Sequence, residues 1–270
     1  MEDVAEKAVL RAIEAMRERL GEELTVDDLA RAAMFSKFHF TRLFQRLTGV
    51  SPGRFLSALR LQRAKHLLVS TSMNVADISV QVGYNSVGTF SSRFSRSVGM
   101  SPTAYRHRAG YVSAIQAAAD STGRGSNARL SCRLRLPEPE DVVIFVGMFA
   151  DRIPQGRPVR CAVLDQPGRV TFNSVPLGTW YLLAQSVSLD GAEAGAAADI
   201  ADRPVSVAAH GPFTVRADSM IAADLELRPA GDLDPPVLLA LLDVRKYAME
   251  RISDTRGATQ PGYDGIAAVA

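Results

Sequence analysis

Apolar positions at Val9, Ile13, Met16 and Leu20 are spaced 4, 3 and 4, the period of one helix face. Residues 3–20 therefore read as an amphipathic helix, stopped by Gly21. Thr25 and Asn74 are N-cap residues, and Asp28 and Asp77 three positions on place an acid in a first turn. They predict short helices over 26–33 and 75–82. Each is followed by a tight connection, Met34-Phe35 or Gly83-Tyr84-Asn85, and then by a second helix capped by Ser36 or Ser86. That is helix-turn-helix spacing. In the second helix of the first pair, Phe40, Leu43, Phe44 and Leu47 line one face and leave Lys37, Phe38, Thr41, Arg42 and Gln45 on the other. Ser51-Pro52 and Ser101-Pro102 each set a capping serine before proline at a first helical position. The first of these helices runs about 20 residues to Ser70, a spacer of roughly 30 Å.

The two pairs are one unit written twice. Thr25-Val26-Asp27-Asp28-Leu29 is echoed by Asn74-Val75-Ala76-Asp77-Ile78, Phe44-Gln45-Arg46 by Phe94-Ser95-Arg96, and Gly49-Val50-Ser51-Pro52 by Gly99-Met100-Ser101-Pro102. A repeat that keeps caps, glycines and apolar positions while its exposed residues diverge points to one helical unit used twice on an extended partner. A spacer of that length sets two recognition helices near the 34 Å or so of a duplex turn, so both can enter consecutive major grooves.

Beyond residue 108 the pattern changes. Residues 109–129, with Ala117-Ala118-Ala119 and Ser121-Thr122-Gly123-Arg124-Gly125-Ser126, read as a helix tail running into a flexible linker. After it the period falls to about 2, and short strands are expected over 130–136, 141–150, 159–164, 169–175, 179–188, 212–216 and 222–227. Strands at such spacing argue for a β-sandwich. Asp234-Pro235-Pro236 then precedes an uninterrupted apolar run, Val237 to Leu242, expected to start a helix that becomes charged near Arg245-Lys246. So apolar a first turn needs covering, by docking on the sandwich or in a dimer seam. The fold class is thus a multidomain α and β chain: an all-α double helix-turn-helix domain over 1–108, a linker over 109–129, a β-sandwich domain with a C-terminal helix over 130–252, and a flexible tail over 253–270.

Charge sharpens this division. Residues 31–108 hold twelve basic side chains against the single acid Asp77, although the whole chain is only +2. Residues 109–270 carry 15 basic and 19 acidic groups. Basic charge confined to the repeat is the electrostatic footprint that phosphates require. Cys132 and Cys161 stand 29 positions apart with no second pair nearby, and the four histidines form no ligand-like spacing. Neither a disulfide framework nor a metal site is indicated, and no cofactor is expected. With no apolar run of roughly 18 residues and no positively charged leader, a cytoplasmic protein that leaves the membrane alone is expected.

Residues 4–108 closely resemble the DNA-binding domain of AraC/XylS transcription regulators. The resemblance rests on Thr25-Val26-Asp27-Asp28-Leu29-Ala30, Ser36-Lys37-Phe38-His39-Phe40-Thr41-Arg42-Leu43-Phe44, Gln62-Arg63-Ala64-Lys65-His66-Leu67-Leu68, Val82-Gly83-Tyr84, Phe90-Ser91-Ser92-Arg93-Phe94-Ser95-Arg96, and Gly99-Met100-Ser101-Pro102-Thr103-Ala104-Tyr105-Arg106. It implies seven helices, two recognition helices on one face, sequence-specific binding to double-stranded DNA at promoters, and RNA polymerase as a further partner of an activator. The more discriminating base contacts fall on Phe38, Thr41 and Arg42, with Lys37 at the start of the helix, and an arginine suits a bidentate bond with guanine. In the second copy Gly88 replaces the aromatic, and Ser91 and Ser92 stand where Thr41 and Arg42 stood. Short hydroxyls read several bases alike, so this helix positions more than it specifies. Arg46 and Arg96 are expected on phosphates, which fix register without carrying sequence information.

In the second half, Val146-Gly147-Met148-Phe149, Gly156-Arg157-Pro158-Val159, Phe172, Val175 and Gly178-Thr179-Trp180-Tyr181-Leu182-Leu183-Ala184 are similar to the transthyretin-like sandwiches of carboxypeptidase regulatory domains. That resemblance implies a binding or interaction module without catalytic groups. No nucleophile stands with a base partner, so the chain is not read as an enzyme. A fused DNA-repair methyltransferase would need a reactive cysteine cluster, against which the two distant cysteines argue. Two readings of the sandwich stay open: a sensor of a small-molecule effector whose binding residues are unknown, or a protein-interaction or dimerisation module. The protein itself is then a monomer or a homodimer.

Overall fold

The computed structural model describes residues 2–112, 126–137, 142–188 and 205–242. Seven helices come first: α1 Glu2–Glu18, α2 Val26–Ala32, α3 Lys37–Thr48, α4 Pro52–Ser70, α5 Val75–Gln81, α6 Val87–Val98 and α7 Pro102–His107. Their starts follow from the caps. The Thr25 side chain accepts from the Asp28 amide while the Thr25 N–H and hydroxyl donate to Asp28 Oδ2 at 2.9 and 2.6 Å, a reciprocal capping box. Asn74, Ser36, Ser86 and Ser101 cap their helices by accepting an amide three residues on. Ser51 makes no side-chain cap, and Pro52 alone marks the start of α4. Both α3 and α6 end on a left-handed glycine, Gly49 at φ 77° and Gly99 at φ 94°.

The duplication is visible in the core. Phe40 meets Phe44 at 5.5 Å between ring centroids and Phe44 meets Phe55 at 5.4 Å, nearly edge to face. In the second copy Phe90, Phe94 and Tyr105 repeat the succession at 5.6 and 5.5 Å. Ile13 and Met16 of α1 and the Leu61, Ala64 and Leu68 row of α4 close this core from both sides. Each fully buried phenylalanine removes enough apolar surface to contribute about 2–3 kcal/mol.

The remaining elements are strands: β1 Tyr111–Val112, β2 Arg129–Arg135, β3 Val142–Phe149, β4 Arg160–Leu164, β5 Arg169–Phe172, β6 Gly178–Ser188, β7 Val205–Val215, β8 Met220–Glu226, β9 Arg228–Pro229 and β10 Leu241–Leu242. They form a three-stranded sheet in the order β5-β2-β8, a five-stranded sheet in the order β4-β3-β6-β7-β9, and the parallel pair β1-β10. Leu130, Cys132 and Leu134 from the smaller sheet share one buried cluster with Ile144, Val146, Met148 and Leu182 from the larger. Alternation in β2, with every second residue buried, is the signature of a sheet covered on one face. By contrast β3 is buried along its whole length, because Phe145 and Phe149 are covered on the opposite face as well.

Two expectations fail. Over 109–112 the helix tail expected after residue 108 does not continue: α7 stops at His107, Ala109 and Gly110 both take positive φ, and Tyr111-Val112 form β1. The helix expected from Val237 does not start either. Residues 237–240 are non-helical with a bend at Leu239, and Leu241 and Leu242 pair in parallel with Tyr111 and Val112. The physical reason is that alternate side chains are claimed by different halves of the molecule. Leu238 and Ala240 are buried in the helical core, whereas Leu239 packs with Phe145, Phe149 and Leu183 on the larger sheet. Only a period near 2 can serve both, so tertiary burial overrides helix propensity. The apolar run is therefore covered by both halves, where one docking face was expected. Residues 117–119, the helix continuation to 252 and the tail over 253–270 lie outside the described residues.

Candidate DNA interface

The exposed face of α3 is a row of long side chains. Lys37, Phe38, Arg42, Gln45 and Arg46 are exposed, while Phe40, Leu43 and Phe44 turn inward. Phe38 is 74% exposed, an unusual place for a phenylalanine with nothing to cover it. The Arg42 guanidinium carbon stands 5.7 Å from the centre of its ring. Such stacking holds the guanidinium over the aromatic face and narrows the angles from which it can meet a partner. Thr41 donates its hydroxyl to the Lys37 carbonyl at 2.8 Å, which leaves the oxygen lone pairs and the methyl group outward. Lys37 itself is bound by Asp27 of α2, 2.7 Å from its ammonium. Its charge is thus shared with the preceding helix.

The matching face of α6 is short. Gly88 and Ser92 are exposed, Ser91 is half-buried, and a Cβ added at Gly88 would meet nothing within 4 Å. Arg96 is exposed on the flank, as is Arg93, whose guanidinium reaches Ser57 Oγ at 3.4 Å. The turns before the two helices also differ. Met34 takes φ 58° and is 76% exposed, whereas Gly83 takes φ 82° in the same position of the second copy. The amide that follows closes the turn in both, Phe35 onto the Ala30 carbonyl and Tyr84 onto Ser79. Asp28 accepts from Thr25 and pairs with Arg31, and these bonds, the Thr25 side chain first, hold its carboxyl below the usual range. The first turn of α2 thus keeps its stabilising negative charge.

Not all the basic charge faces outward. Arg60 donates to the carbonyls of Leu20 at 3.0 Å and Glu22 at 2.6 Å, tying off the end of α1. Arg106 serves Leu68 and Met73 past the end of α4. Lys65 is half-buried with its ammonium enclosed, donating to the carbonyls of Val237 and Leu239 at 3.1 and 3.0 Å and lying 5.9 Å from the Tyr105 ring centre. Desolvation pulls its pKa down to about 7. Arg54 is paired with Asp151 of the strand-rich half. Four of the twelve basic residues are thereby engaged inside the protein, and the charge asymmetry of the sequence overstates the surface free for phosphates.

The halves are joined around α6. Gly156 donates to the Ser97 carbonyl at 2.7 Å and Ala240 to Val98 at 3.4 Å, so the otherwise unpaired carbonyls of the last helical turn are satisfied from the strand-rich side. Arg17 and Asp232 add an ion pair at 2.7 Å, and Ile153 is buried in the helical core. Nothing in the sequence pattern linked residues 151–157 to α6. Burial pushes the Cys132 thiol up to about 12 and raises that of Cys161, so neither is an activated nucleophile. Among the described residues no cluster of histidine, cysteine and carboxylates has metal-binding geometry, and no helix is long and apolar enough to cross a membrane.

With this arrangement in place, residues 29–108 match the family model of a helix-turn-helix domain. The lactose operon transcription activator of Staphylococcus xylosus is 31% identical over 105 residues, which cover 39% of this chain and 38% of that protein. The MmsAB operon regulatory protein of Pseudomonas aeruginosa is 39% identical over 93 residues, 34% of this chain and 30% of the relative. A transcriptional regulator structure from Chromobacterium violaceum, described as of the AraC-type DNA-binding-domain class, is 29% identical over 38% of this chain and 92% of that one, with a TM-score of 0.37. The chain thus spans about a third of the length of these two curated relatives, and the similarity is confined to the helical half.

Proposed function

We propose that the protein is a sequence-specific DNA-binding transcription regulator of AraC/XylS type. The observation that carries this reading is the pair of recognition helices, α3 and α6, held by one duplicated core with their polar faces outward. The 19 residues of α4, which lies between them in the chain, make a spacer about 28 Å long, close to one duplex turn. Arg42, steadied on Phe38, reads a guanine edge, and Thr41 and Phe38 meet a neighbouring base. Gly88, Ser91 and Ser92 let α6 approach closely without strong base preference. Arg46 and Arg96 hold phosphates, and Lys37 contributes to the same backbone. Activation from such a site adds RNA polymerase as a protein partner, and the compartment is the cytoplasm. The strand-rich half is read as a β-sandwich through which an effector acts on DNA binding. Its two attachments to the end of α6 support that role, because they tie it to a recognition helix.

Selection of duplexes from a random library by the full chain tests the assignment. An enriched site protecting about two helical turns on one face is expected, with its informative bases under α3. No enrichment over the starting library would end the proposal. A metabolite panel that shifts the melting of the full chain and its affinity for the selected site together supports the effector reading; a panel without effect leaves a protein-interaction module in its place.

A further inference from the structure

We infer that the strand-rich half lends Arg157 to the DNA backbone, completing a phosphate-binding cleft whose other cations are Arg54, Arg93 and Arg96. The inference rests on the DNA-binding reading above and extends the interface beyond the helical domain. A cleft of about 480 Å³ opens between the halves, walled by Arg54 and Ser57 of α4, Arg93 and Arg96 of α6, and Asp151 and Arg157 of the loop over 151–157. Four guanidinium groups face a single carboxylate, and that one is taken by Arg54. Arg93 reaches only the Ser57 hydroxyl, at 3.4 Å, and Arg96 and Arg157 have no ion pair among the described residues. Concentrated positive charge with low-dielectric walls focuses potential on an anion.

Position selects the anion. Arg96 lies one helical turn beyond Ser92 on α6, flanking the face that meets the groove. When α3 and α6 occupy consecutive major grooves, the backbones bordering the minor groove between them cross the space between the two helices. The cleft, walled by the first turns of α4 and the flank of α6, would fall in that space. Its third wall is fixed before DNA arrives: Gly156 donates to Ser97 at 2.7 Å, and Ile153 and Leu238 are sunk in the helical core. Arg157, adjacent to Gly156, reaches the phosphate without ordering a loop, which spares the entropy of binding.

The test is the salt dependence of binding by the full chain to a selected duplex and to a random-sequence duplex, followed by fluorescence anisotropy from about 50 to 200 mM salt. Loss of one phosphate contact lowers the slope of log K against log salt by about 0.9. Arg157→Ala is expected to show that loss on both duplexes alike, Arg157→Lys to retain the wild-type slope, and Arg216→Ala, an exposed arginine outside the cleft, to match wild type. Equal slopes for Arg157→Ala and wild type overturn the inference, whether or not affinity falls, while leaving the DNA-binding reading intact. Failure of the wild-type chain to bind either duplex removes both.

Discussion

The two helix-turn-helix copies share a core and differ at the surface. Phe40, Phe44 and Phe55 of the first are matched ring for ring by Phe90, Phe94 and Tyr105 of the second, and each recognition helix ends on a left-handed glycine. Outside, α3 carries Phe38 and Arg42 where α6 carries Gly88 and Ser92, while Arg46 and Arg96 hold the same place on each. The environments beyond the copies also diverge. Carbonyls at the end of α6 are bonded by Gly156 and Ala240 of the strand-rich half, whereas the Gly49 end of α3 is covered by the Arg152 side chain. Duplication thus preserved what packing demands and let the exposed faces and the contacts with the second half diverge.

The comparison is broken most forcefully at the core. Phe44→Ala and Phe94→Ala each remove a fully buried ring and are expected to cost about 3–5 kcal/mol in denaturant unfolding of the full chain. A difference beyond about 2 kcal/mol between them would show that the copies are not energetic equivalents. The turns come next. A Cβ at Gly83 would stand 2.8 Å from the Leu20 carbonyl oxygen at φ 82°, so Gly83→Ala is expected to cost about 1–3 kcal/mol. Met34 already holds a side chain at φ 58° in open solvent, and Met34→Ala should leave the melting temperature nearly unchanged.

The outer faces are compared by competition between the selected duplex and its single-base variants. Arg42→Ala is expected to erase about 1–3 kcal/mol of discrimination at one base pair, while Ser92→Ala leaves the ranking of sequences as it was. Equal effects would make the two helices equal readers.

A pH-dependent effect concerns Lys65, which binds α4 to the strand-rich half. Its ordinary pKa of 10.5 falls to about 7 in the folded protein. Between those values the unfolded chain holds the proton and the folded chain releases it, so stability rises with pH from about 7 towards 10.5 and is lowest below 7. The stability of wild type relative to Lys65→Met should therefore grow from pH 6 to pH 9. A constant difference would mean that the ammonium keeps its ordinary pKa.

Much of the helical half was legible from local rules. Thr25, Asn74, Ser36 and Ser86 are cap residues whose hydrogen bonds are satisfied within three residues, so a sequence pattern suffices to place α2, α3, α5 and α6. Strands β2 to β6 could be placed by alternation and by Gly and Pro. The first part of β7, residues 205–211, lacked a strand signal, since Ala208, Ala209 and Gly211 hold few branched side chains; pairing with β6 makes it a strand. The apolar run from Val237 was ambiguous for a general reason, because a short unbroken apolar stretch fits a buried helix or a buried strand equally. On the surface, Phe38 and Arg42 were legible as an outward face, but the stack of one on the other was not.

The sequence by itself determined the duplicated helical unit, the contrast between the Arg42 face and the Gly88 face, and the excess of basic over acidic charge in residues 31–108. All three are local or compositional, carried by caps, helical period and counts. Tertiary structure alone decided which of those charges remain outside. Arg60, Lys65 and Arg106 are spent on carbonyls far along the chain, and Arg54 on Asp151, while Arg157 is brought beside Arg93 and Arg96. Contacts across 33 to 174 positions have no period to betray them. They exist because the loop over 151–157 sinks Ile153 into the helical core and the segment over 238–240 buries alternate side chains in two different cores, and that burial is defined only once both halves are folded.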